Sequence, residues 1–540
     1  METNPIIESS LLEFHNKPYN LSFPLLLEGE SFGLLRIKTV TVPITKKPLF
    51  ILFTIDKTGS MNESYKNNTK MDYVKQTFKN MLIYLSKKDI DLYIRVHTFD
   101  ETVSVPIMNT KVTVDTIDKL IKCIDDIQPE GSTNIENALN DALEALNGYS
   151  ESYPDHQIAH IFMTDGHSTT GNSRPENLFD LVNSEFSNIF VGFGSDHNAR
   201  LLKKLSTRRN SDYQFVDNME NTSLVYGETI NRFLYPAIQN VDIRVTNGLI
   251  YNWVTNAWEE NFYEPVLVSE IDKIYAIRTS TKDEIKIEVH GKVCSDDDPQ
   301  KILDVVYSLP ELITHNTEEI IENDLSKYIF RQLVQGVLFD SDKLTRTNFV
   351  ELADFKNKRI RSLFREMRKY MRDNDLMQDK FMILLCDDLR VAYGYAGSDR
   401  GRAFILSRQT TQGRQQTYTT NTTDSSLNDE DILIQKHAHQ TDSIPILERT
   451  MTGCFPRSRM LEQATHNDLG MQQINDTLFS RTNAMTDQQG VYDAEEELPV
   501  DYNPEDDINN YVTSTGNISC YATPRTLTTM RSMSQPMDNF

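Results

Sequence analysis

Pro48-Leu-Phe-Ile-Leu-Phe-Thr-Ile55 runs directly into Asp56-Lys57-Thr58-Gly59-Ser60-Met61, and that junction decides the fold. An unbroken apolar run ending in an acidic residue and two hydroxyls reads as a buried parallel strand that delivers hard oxygen ligands to a loop. Two later segments carry complementary groups. Gly131-Ser132-Thr133-Asn134 opens a helical stretch, and Ile161-Phe-Met-Thr164-Asp165-Gly166 ends another apolar strand. Taken singly, each segment reads as a helix cap or a turn. Three such segments at strand ends read as one metal site.

Strand and helix signals alternate around this junction. Apolar runs at 49–55, 92–99, 103–107, 158–163 and 189–193 are separated by helical patterns near 73–85, 114–124 and 135–146. This alternation predicts a doubly wound, mostly parallel α/β sheet with helices on both faces. Only Asp100-Glu101 separates Phe99 from the next strand signal at Thr102-Val-Ser-Val105. That is too short for a crossover, so these two strands are expected to be antiparallel neighbours.

The three segments resemble the von Willebrand factor type A domain and its metal-ion-dependent adhesion site, in which Asp-x-Ser-x-Ser is followed by a Thr in a Gly-rich loop and an Asp after a core strand. The resemblance covers residues 48–236 and maps the site onto Asp56, Thr58, Ser60, Thr133 and Asp165. Thr58 stands where the family pattern has its first Ser; its hydroxyl can still ligate, but its methyl narrows the loop. The resemblance implies a Rossmann-like domain that binds a protein partner when that partner's Asp or Glu completes the metal's coordination. Oxygen donors with few anions suit Mg2+, with Mn2+ or Ca2+ as substitutes. The order of regions and the segment Ser407-Arg-Gln-Thr-Thr-Gln-Gly-Arg414 also look like uncharacterised type A proteins of protists and large DNA viruses. The Asp-Lys-Thr-Gly-Ser-Met string resembles type A domains attached to alpha-kinases, but no Gly-rich phosphate loop follows residue 309. RING and Hint cysteine/histidine patterns are absent as well.

Outside the head the pattern changes. The alternating segment Leu35-Arg-Ile37-Lys-Thr-Val40-Thr-Val42 reads as a strand in the arm 1–47 that must join another sheet. Short strands at 241–245, 266–268, 274–277, 285–289 and 303–306 make 237–312 an antiparallel β-sandwich, and the arm's strand is expected to join it. Residues 313–396 return to helical periodicity and read as a bundle. Residues 397–540 are rich in Ser, Thr, Asn and Gln and read as a largely disordered tail.

With 540 residues and a formal charge of −24, the chain is unsuited to bulk attraction to nucleic acid or anionic membrane. No apolar stretch approaches the ~20 residues of a membrane span, and the first residues lack a signal-peptide pattern. Five dispersed cysteines without a Cys-x-x-Cys pair point to reduced thiols. An intracellular, cytoplasmic location is therefore expected, or a virion if the chain is viral.

A hydrolase reading built on Ser60 with His97 or His167 finds no Gly-x-Ser-x-Gly elbow, and His97 lies inside a strand pattern. His156 and His160 have metal-like spacing, but His160 enters a strand. The basic amphipathic helix at 356–372 reads as a solvated bundle face or as a dock for an acidic partner or a membrane surface. The preferred reading is a non-enzymatic, metal-dependent interaction module. The alternative is a metal-independent scaffold or ubiquitin-pathway adaptor.

Overall fold

The computed structural model describes residues 7–15, 30–279, 285–294, 302–309, 320–344, 349–421, 506–513 and 516–534. After β1 (Ile7–His15) and β2 (Ser31–Thr39), the head comprises β3 (Leu49–Asp56), a hairpin of β4 (Ser64–Tyr65) and β5 (Asn68–Thr69), and α1 (Lys70–Ser86). It continues through β6 (Leu92–Phe99), β7 (Val103–Lys111), α2 (Ile117–Asp125), α3 (Ile135–Ser152), β8 (Gln157–Thr164) and α4 (Pro175–Phe179). It ends with β9 (Ser187–Phe193), α5 (Ala199–Leu205), β10 (Ser211–Val216) and α6 (Thr222–Leu234).

The head sheet has the order β10-β9-β8-β3-β6-β7. All its pairings are parallel except β6 with β7, so the short link at residues 100–102 does join antiparallel neighbours. Every residue of β3 is buried, as expected of a central strand covered on both faces. Ile51, Phe53 and Ile55 share an apolar cluster with Phe78 of α1 and Ile230 of α6, whereas Phe50 and Leu52 pack with Ala142 and Leu146 of α3. From β3 the chain winds first to β6 and later back to β8 on the other side. Such a reversal opens a crevice at the carboxyl ends of β3 and β8.

Two antiparallel sheets follow, built from β11 (Pro236–Thr246), β12 (Leu249–Asn252), β13 (Ala257–Glu259), β14 (Asn261–Val268), β15 (Asp272–Thr279), β16 (Ile285–Val293) and β17 (Ile302–Leu309). Their orders are β1-β2-β15-β12-β13 and β14-β11-β16-β17. β2 pairs along its length with β15, Leu35 opposite Tyr275 and Ile37 opposite Lys273. In chain order the head therefore lies between strands of one sheet. Leu35, Ile37, Ile250 and Ile277 from one sheet share a cluster with Ile243, Leu267 and Val289 from the other. The hairpin of β12 and β13 is an addition to the strands expected from sequence; its turn needs Asn256 at φ 54°, which asparagine tolerates better than most residues.

The helical region contains α7 (Ile320–Lys343), α8 (Phe349–Asp354), a π-helical stretch (Phe355–Arg361), α9 (Ser362–Asp373) and α10 (Lys380–Tyr395). Residue 397 is not where order ends. α11 (Gly401–Arg414) is buried over most of its length, and Phe404 packs on Phe215 of the head with ring centroids 5.1 Å apart. Its Arg, Gln and Thr side chains are inside and hydrogen-bonded. Gln412 Nε2 donates to Asp388 at 2.7 Å, and Gln409 Nε2 to the Leu338 carbonyl at 2.9 Å. Further on, α12 (Pro524–Ser534) lies against α6 and α1. Composition alone could not reveal this, since these segments borrow their apolar partners from the rest of the protein. The expectation of disorder for residues 422–505 falls outside the described residues.

The basic face of α9 meets a segment of its own chain. Arg372 and Arg368 face Asp506, and the Phe364 and Tyr511 rings lie 5.2 Å apart. The acidic group that the helix was read as able to bind is thus supplied internally.

Candidate metal centre

Three loops meet at the crevice, and backbone hydrogen bonds fix them to one another. Gly59 donates its N–H to the Gly131 carbonyl at 3.1 Å, and Glu130 donates to that of Lys57 at 2.7 Å. Thr169 and Thr170 donate to the Thr133 carbonyl at 2.9 and 3.1 Å. Gly131 sits at φ +79°, where a Cβ would fall 3.0 Å from that of Asp100. Only glycine lets the second loop pass that close.

Side chains complete the convergence. Ser60 Oγ donates to Asp165 Oδ1 at 2.7 Å, and the Thr58 and Ser60 hydroxyls are 3.1 Å apart. A methyl at Gly166 would lie 3.9 Å from Thr133 Oγ1 and 4.0 Å from Ser60 Oγ, so both hydroxyls border the same space. Asp56 accepts the Thr58 N–H on Oδ1 at 2.9 Å and the Thr164 hydroxyl on Oδ2 at 2.6 Å. Its two oxygens therefore brace the loop. It suits contact with an ion through water better than direct ligation.

All five residues expected from sequence are thus brought together, and each is buried apart from the partly exposed Ser60. Burial and, after it, the charge of Asp165 push the Asp56 carboxyl up to about 6, while hydrogen bonds from Thr164 and Thr58 pull it back. Three further residues carry no sequence signal. Thr164 orients Asp56. Lys57, in the first loop, pairs with Asp100 and, at 3.2 Å, Glu130 beside the second. Lys70, the first residue of α1, sets its ammonium 2.8 Å from Asp165 Oδ2 and 2.7 Å from Glu63. Burial would lower the Lys70 pKa, but Asp165 and Glu63 outweigh it and hold it above the usual lysine value.

Among the described residues no three His, Cys, Asp or Glu side chains cluster as metal ligands. The donors here are mainly hydroxyls, and such neutral oxygens with two nearby carboxylates fit a hard cation that keeps part of its water shell. They do not fit a thiol- or imidazole-seeking ion. Of the competing histidines, His167 is exposed in the loop after Asp165, whereas His97 and His160 are structural. His97 is enclosed in β6 between Arg95 and Asp141, and burial takes its pKa down to about 4. His160 meets Thr54 at 3.0 Å inside the sheet, away from His156, which contacts Tyr149.

Residues 51–227 match the family model of the von Willebrand factor type A domain, and they form such a domain. Inter-alpha-trypsin inhibitor heavy chain H2 from Mesocricetus auratus is 26% identical over 262 residues, 45% of this chain and 26% of that protein. The chain spans about a quarter of the length of the curated relatives it matches. A von Willebrand factor type A structure from Catenulispora acidiphila is 11% identical at a TM-score of 0.50, covering 78% of this chain and 99% of that one; this likeness is one of fold. Proximal thread matrix protein 1 from the mussel byssus, solved with a zinc-occupied MIDAS motif, is 20% identical at a TM-score of 0.30 over 35% of this chain and 49% of its own. Type A domains commonly mediate protein–protein interaction, and many hold a divalent cation at this position. No described helix is long and apolar enough to cross a membrane.

Proposed function

We propose that the head is a non-enzymatic protein-interaction module that binds a partner's Asp or Glu through a divalent cation, Mg2+ in the first instance. The observation that carries this reading is the Ser60 Oγ contact with Asp165 at 2.7 Å, with Thr58 beside it and Thr133 bordering the same space. Ser60 and Thr133, with Thr58, would hold the cation, and Asp56 and Asp165 would fix its charge and hydration. Because the donors are mostly neutral, a bound cation there stays electrophilic and takes up a carboxylate. The ion supplies Lewis acidity; the protein supplies orientation. Burial lowers the pKa of His97 and His160, and both are enclosed in the sheet, away from Ser60. A reducing intracellular compartment is part of the proposal; among the described residues Cys123, Cys294, Cys386 and Cys520 are free.

Capture of a partner should require Mg2+, fail in EDTA, and fail in Ser60→Ala, whose packing is otherwise unchanged. An interaction that persists in both conditions would move recognition to the sandwich or the helices and favour the scaffold alternative.

A further inference from the structure

Lys70 is an unusual residue to open a helix. The Thr69–Asp72 capping box fixes the start of α1, with Asp72 N donating to Thr69 Oγ1 at 3.1 Å and Thr69 N to Asp72 Oδ2 at 2.9 Å. The positive end of the helix dipole disfavours a cation in the first turn, so the lysine does not serve the helix. Its ammonium is instead turned toward the crevice. The side chain is 10% exposed and meets Asp165, whose side chain is 0% exposed, at 2.8 Å. It touches only Oδ2; Oδ1 is left to the Ser60 hydroxyl. Its second partner, Glu63, is 61% exposed and screened by water.

We propose that Lys70 is the metal centre's built-in counter-ion, a positioning residue that holds Asp165 and makes the loaded site select an anionic over a neutral ligand group. This inference rests on the metal reading above. The two carboxylates, the ammonium and a divalent ion leave one surplus positive charge, which an incoming carboxylate neutralises and an amide does not. Without Lys70 the loaded site would be formally neutral. The same ammonium opposes the cation, so it weakens metal binding while it sharpens ligand choice.

The test uses the full chain with Mn2+ as the metal probe and acetate against acetamide as ligand probes. Calorimetry reports the metal, and water-proton relaxation reports displacement of bound water. Lys70→Met should bind Mn2+ about tenfold more tightly and, once loaded, take up acetate about tenfold more weakly, with acetamide unchanged. Lys70→Arg should keep wild-type values for both. Glu63→Gln removes an exposed negative charge and should weaken Mn2+ binding about twofold, the opposite sign. A folded Lys70→Met with unchanged or weaker Mn2+ affinity overturns the inference, because structural damage does not tighten a metal site. Should that variant fail to fold, unchanged or tighter Mn2+ binding in Glu63→Gln overturns it instead. Absence of Mn2+ binding by the wild-type chain would remove the metal reading itself, and this inference with it.

Discussion

Two groups of buried charges lie about the head, and they differ in how they are neutralised. Where the head, the sandwich and α11 meet, Asp212 faces Arg232 at 2.8 Å and Arg414 at 3.3 Å, while Glu264 faces Arg414 at 3.2 Å and Lys273 at 2.5 Å. Burial alone would raise the Asp212 pKa, but Arg414, Arg232 and Lys203 together hold it below the usual carboxylate value. At the carboxyl end of the sheet Asp56 is as deeply buried, but burial and the charge of Asp165 are the largest influences on its pKa, which rises. A closed ion network marks an internal joint. A carboxylate held up by burial beside a second carboxylate and a row of hydroxyls is the arrangement that the proposed cation would stabilise.

Breaking the joint should cost far more stability than altering the site. Arg414→Met removes a partner from both Asp212 and Glu264, and should destabilise the protein by about 3 kcal/mol in urea unfolding. Loss below about 1 kcal/mol would show that Arg232 and Lys273 suffice.

A pH-dependent contact lies next to that joint. Glu228 of α6 accepts the N–H groups of Thr417 at 2.6 Å and Tyr418 at 2.8 Å. Burial pushes its carboxyl up to about 7, although those two N–H groups lower it. The folded pKa lies above the ordinary 4.5, so the folded state prefers the protonated acid. That contribution is complete below pH 4.5 and is lost as pH rises through 7. Between pH 4.5 and 7.5 the wild type should lose up to about 3 kcal/mol relative to Glu228→Gln. Parallel stability–pH curves for the two proteins would contradict this.

The head was legible because its sequence signals are local. A strand buried on both faces must be continuously apolar, which made β3 and β8 legible together with Asp56 and Asp165 at their ends; the resemblance to the type A motif then picked out Thr58, Ser60 and Thr133. Lys70 and Thr164 were not legible, since their roles depend on which carboxylate the fold brings to them. α11 was misread for a related reason. Its polar residues Arg408, Gln409 and Gln412 look solvated in sequence and are buried only because Asp388, Leu338 and Thr420 meet them. α12 is similar: Thr526 and Thr529 bond Asn231 at 3.0 and 3.1 Å, while Met530 and Met533 join the head's core.

The seat of α12 offers a smaller perturbation. At Gly227 of α6 a Cβ would come within 2.7 Å of Met530 Cα, a backbone atom that can move only with its helix. Gly227→Ala should cost about 1–2 kcal/mol and raise amide exchange within α12, without changing Mg2+ affinity. A loss of Mg2+ binding would mean that the helix and the crevice are coupled.

The finest distinction concerns Thr58, where hydroxyl and methyl can be separated. Its Oγ1 lies 3.1 Å from Ser60 Oγ, and its N–H is held by Asp56. Thr58→Ser keeps the oxygen and drops the methyl; Thr58→Val keeps the shape and drops the oxygen. If Oγ1 ligates the ion, Thr58→Val should weaken Mg2+ by about tenfold or more and Thr58→Ser by less than about threefold, a gap of roughly 1 kcal/mol in binding. Unfolding free energies should stay within about 1 kcal/mol of wild type in both, because the residue lies on a loop above a core that does not depend on it. Equal Mg2+ affinities for the two variants would remove Thr58 from the ligand set and leave Ser60 and Thr133 as the hydroxyl ligands.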